Sequence, residues 1–166
     1  MVHDTVNDMI ENTNSPLFSI LIPTWNNLEM LKLCVSSIES NSSFSHEILV
    51  HINDGSDGTL DWVKEKGIKH THSADNIGVC WALNRLRSLV STDYIVFFND
   101  DMYACPGWDK AFYDEIKALG HKDFFLASTT IQPLAHNLRS IGVPVADYGR
   151  TVGEFDESSL LRDVRD

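Results

Sequence analysis

The chain has 166 residues, 43% of them hydrophobic, enough for one domain with a sizeable core and short of two ordinary domains. Its 13 Lys and Arg stand against 24 Asp and Glu, a formal charge of −11, so the overall field repels nucleic acid and anionic membrane surfaces, and any bound phosphate must be held locally. Three scattered cysteines, Cys34, Cys80 and Cys105, show no CxxC spacing; this argues against a disulfide framework or a structural zinc site and fits small buried thiols in a reducing cytoplasm.

Residues 1–15, MVHDTVNDMIENTNS, lack a basic or apolar signal region and read as a polar leader, leaving residues 16–166 as the folded domain. No run approaches the roughly 20 apolar residues of a membrane span. Leu17 to Pro23 is short, rich in apolar residues and stopped by proline, which predicts a buried first strand. Leu28, Leu31, Cys34, Val35 and Ile38 keep helical spacing behind Asn26 or Asn27 as N-cap. Glu47 to Asp54 predicts a second strand, and the DGSDGT turn opens a short helix through Asp61, Trp62 and Val63. Ile68 to His72 reads as a more exposed third strand. Gly78 to Val90 is an amphipathic helix, with Val79, Ala82, Leu83, Leu86 and Val90 on one stripe and Asn76 as a candidate cap. A fourth strand is expected at Tyr94 to Asn99, a helix from Trp108 to Leu119 ended by Gly120, and a fifth strand at Phe124 to Thr129.

Such alternation predicts an α/β fold, a mainly parallel Rossmann-like sheet with helices on both faces and ligands at the carboxyl ends of the strands. Those ends carry Pro23-Thr24-Trp25-Asn26, Asn53-Asp54-Gly55-Ser56 and Asn99-Asp100-Asp101. The last cluster sets two like charges side by side.

In order and spacing these clusters resemble the family 2 glycosyltransferases of the GT-A fold. The sequence IPTWNN matches that family's Pro-Thr/Ser-aromatic-Asn loop, and INDGSDGT matches its Asp-Asp-Gly-Ser turn. NIGVCWALN fits Asn-x-Gly-x-x-x-Ala-x-Asn at all four fixed positions, and NDDMYACPGW fits a variant DxD motif followed by Gly-Trp. Each piece alone is weak; four in register across about Leu17 to Phe112 are specific.

The resemblance implies transfer of a sugar, of the hexosyl type and inverting, from a UDP-, GDP- or dTDP-linked donor to a saccharide or lipid-linked acceptor, as in polysaccharide biosynthesis. It implies Mg²⁺ or Mn²⁺ held by Asp101, with Asp100 and Asn99 near the ribose and diphosphate, and Asp54 accepting a hydrogen bond from the base. Pro23, Thr24 and Trp25 would contact the nucleoside, with Asn84 a further substrate-binding candidate. Such a metal prefers oxygen ligands, needs only one or two carboxylates and neutralises the leaving diphosphate. Asn53 and Asn99 stand where many members have Asp, which implies a less charged metal site.

Competing assignments exist for several of these residues. Asn/Asp-Gly turns occur in any fold, and an Asp pair can start a turn or cap a helix. Trp25 and Trp81 can stack on a ligand, but tryptophan beside a buried strand or helix more commonly packs in the core. His51, His70 and His72 alternate along strands and read as exposed or internally satisfied rather than metal-bound.

For the general base, the candidates in the tail are Asp156, Glu157 and Asp163. The expectation is therefore a nucleotide-sugar-binding portion truncated before the acceptor side and inactive on its own, or a catalytically inactive binding homologue. A receiver-type domain would carry an acidic pair after the first strand and Lys after the fifth, and a nucleotidyltransferase a basic glycine-rich loop; the sequence has PTWNN and STTIQ at those places and no such loop.

Overall fold

The apolar run after Pro16 is buried on both of its faces, which is possible only in the middle of a covered sheet. In the computed structural model, which describes residues 15–133 and 144–164, β1 (Phe18–Trp25) is that central strand. It pairs in parallel with β2 (Glu47–Asn53) and with β4 (Tyr94–Phe97), and β2 pairs in parallel with β3 (Lys69–Ser73). The order is β3-β2-β1-β4. The expected leader lies almost wholly outside the described residues.

Helices connect the strands: α1 (Leu28–Asn41), α2 (Thr59–Glu65) and α3 (Val79–Leu86), with α4 (Trp108–Leu119) after β4 and α5 (Glu157–Asp163) near the end. Leu21 and Leu49, register partners on β1 and β2, form a core cluster with Leu86 of α3, against which Leu83, Leu89 and Val90 pack. Side-chain alternation sends Ile20, Ile22 and Val50 to the opposite face, where they are likewise fully buried. The fold is thus the expected parallel α/β sheet flanked by helices. The described chain divides into two compact units, the first ending at Ala111 and the second beginning at Phe112. No helix among the described residues is long and apolar enough to cross a membrane.

Three expectations need correction, and a fourth, the α1 N-cap, holds in position but not in its side-chain bond. Phe124 to Thr129 forms no ladder, and Phe125 is 93% exposed; an apolar run becomes a strand only where an edge accepts it. The α3 stripe ends early: the helix stops at Leu86 and tightens into a 3₁₀ turn over Arg87–Leu89. At α1 the N-cap position is Asn27, but its side chain makes no cap bond; Asp57 Oδ2, from the turn after β2, accepts the Leu28 N–H at 2.9 Å. Asn76 likewise does not cap α3, whose N-cap is Gly78, and instead closes the preceding turn by accepting the Gly78 N–H at 2.9 Å.

The turn that supplies this cap tolerates only glycine at position 55. Gly55 has φ +84°, and a Cβ there would lie 2.9 Å from Ile52 Cγ2 and 3.0 Å from Leu60 Cβ. Gly55→Ala is expected to cost about 1–3 kcal/mol through overpacking and left-handed strain. Urea unfolding of the two proteins side by side checks this, and equal stability would refute the packing argument.

Candidate functional site

Because all four strands run in parallel, their carboxyl ends share one rim. In register Trp25 lies opposite Asn53, and Asn53 opposite Ser73, so the loop after β1, the turn after β2 and the end of β3 are neighbours. The acidic pair follows the end of β4 beside β1, where the Phe98 N–H donates to the Leu21 carbonyl.

Two residues in this rim adopt left-handed backbone without being glycine: Asn26 at φ 46° and Asp54 at φ 62°. Asn and Asp tolerate that region because their short polar side chains bond locally. Here they bond to each other. Asn26 Nδ2 donates to Asp54 Oδ2 at 2.9 Å, and Asn26 Oδ1 accepts the Gly55 N–H at 2.9 Å. The Ser56 N–H donates to Asp54 Oδ1. The Asn26 bond, followed by those from Ser56, holds the Asp54 carboxyl below the ordinary carboxylate range, so it is an anion with acceptor capacity to spare at neutral pH.

The link to the acidic pair is made by Thr24. Its hydroxyl donates to Asp100 Oδ2 at 2.6 Å, joining the end of β1 to residues that follow β4. Burial pushes the Asp100 carboxyl up, the Thr24 and Asn27 side chains pull it back, and the charge on Asp101 raises it again. Asp101 itself is exposed. Asp100 is therefore anchored by one oxygen, and Asp101 projects toward solvent beside it.

This donor set fits a hard divalent cation shared with a ligand. Among the described residues no group of three or more His, Cys, Asp or Glu side chains could hold a metal by protein alone. Two adjacent carboxylates, one anchored and one exposed, suit an ion whose remaining positions are filled by phosphate and water.

The other candidates sit as follows. Pro23 and Thr24 are buried within β1, leaving Trp25, 58% exposed, as the side chain that reaches solvent from that strand end. Asn84 is exposed on α3, and Asn99 is exposed with its carbonyl accepting from Cys34 Sγ and Met102 N. Trp81 is 68% exposed, so neither it nor Trp25 is the core residue that tryptophan usually is beside such elements. His51 is buried and satisfied by Thr71 and Ser73, as expected of a core histidine, whereas His72 is exposed. Of the cysteines only Cys34 is buried; Cys80 is exposed and Cys105 intermediate.

The candidate bases lie in the second unit, and two are engaged there. Asp156 is the N-cap of α5, accepting from Ser159 N at 3.0 Å and Ser159 Oγ at 2.7 Å, bonds that lower its pKa and weaken it as a base. Asp163 accepts from the Tyr148 hydroxyl at 3.1 Å. Sequence reasoning missed Asn26, Asn53 and Asp57 as the residues that hold the rim together. The available signal was a pair of Asn/Asp-rich loops placed side by side by parallel pairing.

The model of the family "Glycosyl transferase family 2" matches residues 19–138. No curated protein matches the sequence. Among solved structures, S. aureus TarS 1–349 superposes with a TM-score of 0.56 at 20% identity over 61% of this chain and 32% of that one. The same protein in complex with UDP-GlcNAc gives the same score, identity and coverage of this chain. The mannosyltransferase PcManGT from Pyrobaculum calidifontis, in complex with GDP-Man and Mn²⁺, gives 0.59 at 18% identity over 73% of this chain and 37% of its own. The chain thus spans about a third of the length of the structures it resembles.

Proposed function

The chain belongs to glycosyl transferase family 2, and on that footing we propose that its rim binds a nucleotide-diphosphate sugar with a divalent cation, as the donor half of an inverting sugar transfer. The observation that carries this reading is the continuity of the rim. Asn26 holds the anionic Asp54, and Thr24 holds Asp100 beside the exposed Asp101, so the end of β1 and the residue that follows it anchor both acidic groups of the rim.

In this reading Asp54 accepts an N–H from the base and Trp25 offers a face for it to stack on. Asp101, with Asp100, holds Mg²⁺ or Mn²⁺ against the diphosphate; Asn99, Asn84 and the backbone at Pro23 and Thr24 are the remaining contacts. When bound, the cation neutralises charge building on the leaving diphosphate. Thr24 keeps one Asp100 oxygen turned away from solvent, which fixes how the pair presents itself. The acceptor is a saccharide or lipid-linked hydroxyl, the transferred group a hexose, and the setting polysaccharide biosynthesis in the cytoplasm. A binding role without turnover is the second reading, favoured by the engagement of Asp156 in a helix cap and of Asp163 with Tyr148.

Calorimetric titration with UDP-, GDP- and dTDP-sugars, with and without Mn²⁺, tests the proposal: Mn²⁺-dependent binding of one series supports it, and no binding of any series refutes it. Base recognition has its own variant. Asp54→Ala is expected to weaken nucleoside monophosphate binding roughly tenfold or more even without metal, the loss typical of a hydrogen bond to a charged group. A loss confined to metal-loaded diphosphates would move Asp54 out of the base site.

A further inference from the structure

Beneath the rim lies a buried side chain that the proposed chemistry leaves unused. Asn53 ends β2 and is only 4% exposed. Its Nδ2 donates to the Thr24 carbonyl at 3.1 Å, while its Oδ1 accepts the Ile77 N–H at 2.9 Å and lies 3.2 Å from the Ser73 hydroxyl, whose single proton is shared with a nearer acceptor. One amide therefore ties the end of β1 at Thr24, just before the loop that carries Asn26, to the loop between β3 and α3. Ser73 extends the tie, bonding the Asp75 carbonyl at 2.8 Å and lying 3.2 Å from His51 Nε2.

We propose that Asn53 is a positioning residue of the nucleotide site, one that must donate on the β1 side and accept on the α3 side to hold those two loops in register. The inference rests on the donor-binding reading and assigns the Asn found here a purpose other than lowering charge at a metal. A carboxylate cannot do the same work. It would accept from the Ile77 N–H but would set a second oxygen against the Thr24 carbonyl with no proton between them. A protonated carboxyl, with one O–H and one C=O, restores the amide's pattern.

That difference makes Asn53→Asp a pH-sensitive test. Burial and the facing carbonyl both favour the neutral acid, so the introduced group titrates above the ordinary Asp range. The charged and titratable groups around it are His51 on β2, Asp54 in the turn after it, His72 on β3, Asp75 in the next loop, Arg85 on α3 and, through Thr24, Asp100. All are shared with the wild type, so the ratio of variant to wild type isolates the new carboxyl.

Thermal midpoints and affinities for UDP and GDP with Mn²⁺ would be measured between pH 5 and 8 for the wild type, Asn53→Asp and the similarly sized Asn53→Leu. For Asn53→Asp the expected affinity deficit is on the order of tenfold at pH 8, shrinking toward twofold as pH falls, with the thermal deficit shrinking over the same range. Asn53→Leu, with neither donor nor acceptor, should show a deficit that does not titrate. A pH-independent stability deficit for Asn53→Asp overturns the donor requirement. A titrating stability deficit beside an unchanged affinity ratio overturns the positioning role. If the wild type binds neither nucleotide, the donor reading itself fails, and the role of Asn53 in the site fails with it.

Discussion

Replacing Asp101 by alanine is expected to weaken metal-dependent nucleoside diphosphate binding sharply and to leave the fold intact. The geometry separates the two carboxylates: Asp100 has one oxygen committed to Thr24, while Asp101 is exposed and adjacent to it. An exposed carboxylate can meet a hydrated cation that phosphate also contacts, and losing it leaves a single, partly buried ligand. The expected loss of UDP or GDP affinity in Mn²⁺ is on the order of a hundredfold, the upper end of what even second-shell changes do at metal sites. Stability should move by no more than about 0.5 kcal/mol, as for surface substitutions generally. Removing the charge also removes one of the influences that raise the Asp100 carboxyl, which should therefore titrate at lower pH in the variant. Calorimetry with Mn²⁺ and UDP or GDP decides the matter; unchanged metal-dependent affinity in Asp101→Ala would exclude the residue as a ligand.

The parts of this protein that could be read from sequence are those where chemistry and periodicity coincide. β1 and β2 are apolar runs that end on polar loops, and burial on both faces explains why they read as continuous rather than alternating. The three polar clusters follow from that reading, since parallel strands put their carboxyl ends together. What sequence could not supply was orientation. Asn53 looked like a weakened metal position, yet its side chain is buried and faces two loops. Asp57 caps a helix that begins 29 residues earlier, a contact that exists only after β1 and β2 have paired. Trp25 and Trp81 are exposed because each sits at an end of its element, at the close of β1 and in the first turn of α3, rather than on a buried stripe. The apolar Phe124 to Thr129 run shows the converse, since composition alone does not provide a partner strand.

The Gly-Trp pair at the end of the acidic motif repays the same scrutiny, because it belongs to packing rather than to the rim. Trp108 opens α4, donates from Nε1 to Ser42 Oγ at 3.1 Å, and lies 5.3 Å from the His46 ring, which itself stacks on Phe18 at 5.2 Å. The next residue, Asp109, is fully buried. Its Oδ2 accepts the Ser43 N–H at 2.7 Å, the Phe44 N–H at 2.8 Å and a bond with His46 Nε2 at 3.0 Å, while Oδ1 accepts the Lys110 N–H at 2.8 Å. One carboxylate thus fastens the segment that leads into β2, at the amino end of the sheet.

Asp109→Ala is therefore expected to cost about 3–5 kcal/mol, the range for removing one partner from a buried charged network, because several buried N–H groups lose their acceptor at once. Acid should reproduce part of this in the wild type. Burial holds the His46 pKa below its ordinary value despite the Asp109 bond, so its contribution is complete above about pH 6.5 and declines as pH falls below it. Burial pushes the Asp109 carboxyl up, but the Ser43 and Phe44 amides and His46 outweigh it, leaving the pKa lowered. That contribution is complete above the ordinary Asp value of about 3.9 and is lost as pH falls through the lower folded value. Denaturant unfolding of both proteins at pH 7, 5 and 2.5 should show a large deficit for Asp109→Ala at pH 7 that persists at pH 5, where Asp109 is still ionised and favours His46 protonation, and narrows only below the ordinary Asp range; a deficit under about 1 kcal/mol at pH 7 would mean that water replaces the carboxylate and the knot is dispensable. Since this knot lies at the opposite end of β2 from Asp54, the folded fraction of Asp109→Ala should bind nucleotide as the wild type does, whereas Asp101→Ala should fold as the wild type does and fail to bind. The two variants fail in opposite ways because one parallel sheet keeps its fastening at the amino ends and its polar rim at the carboxyl ends.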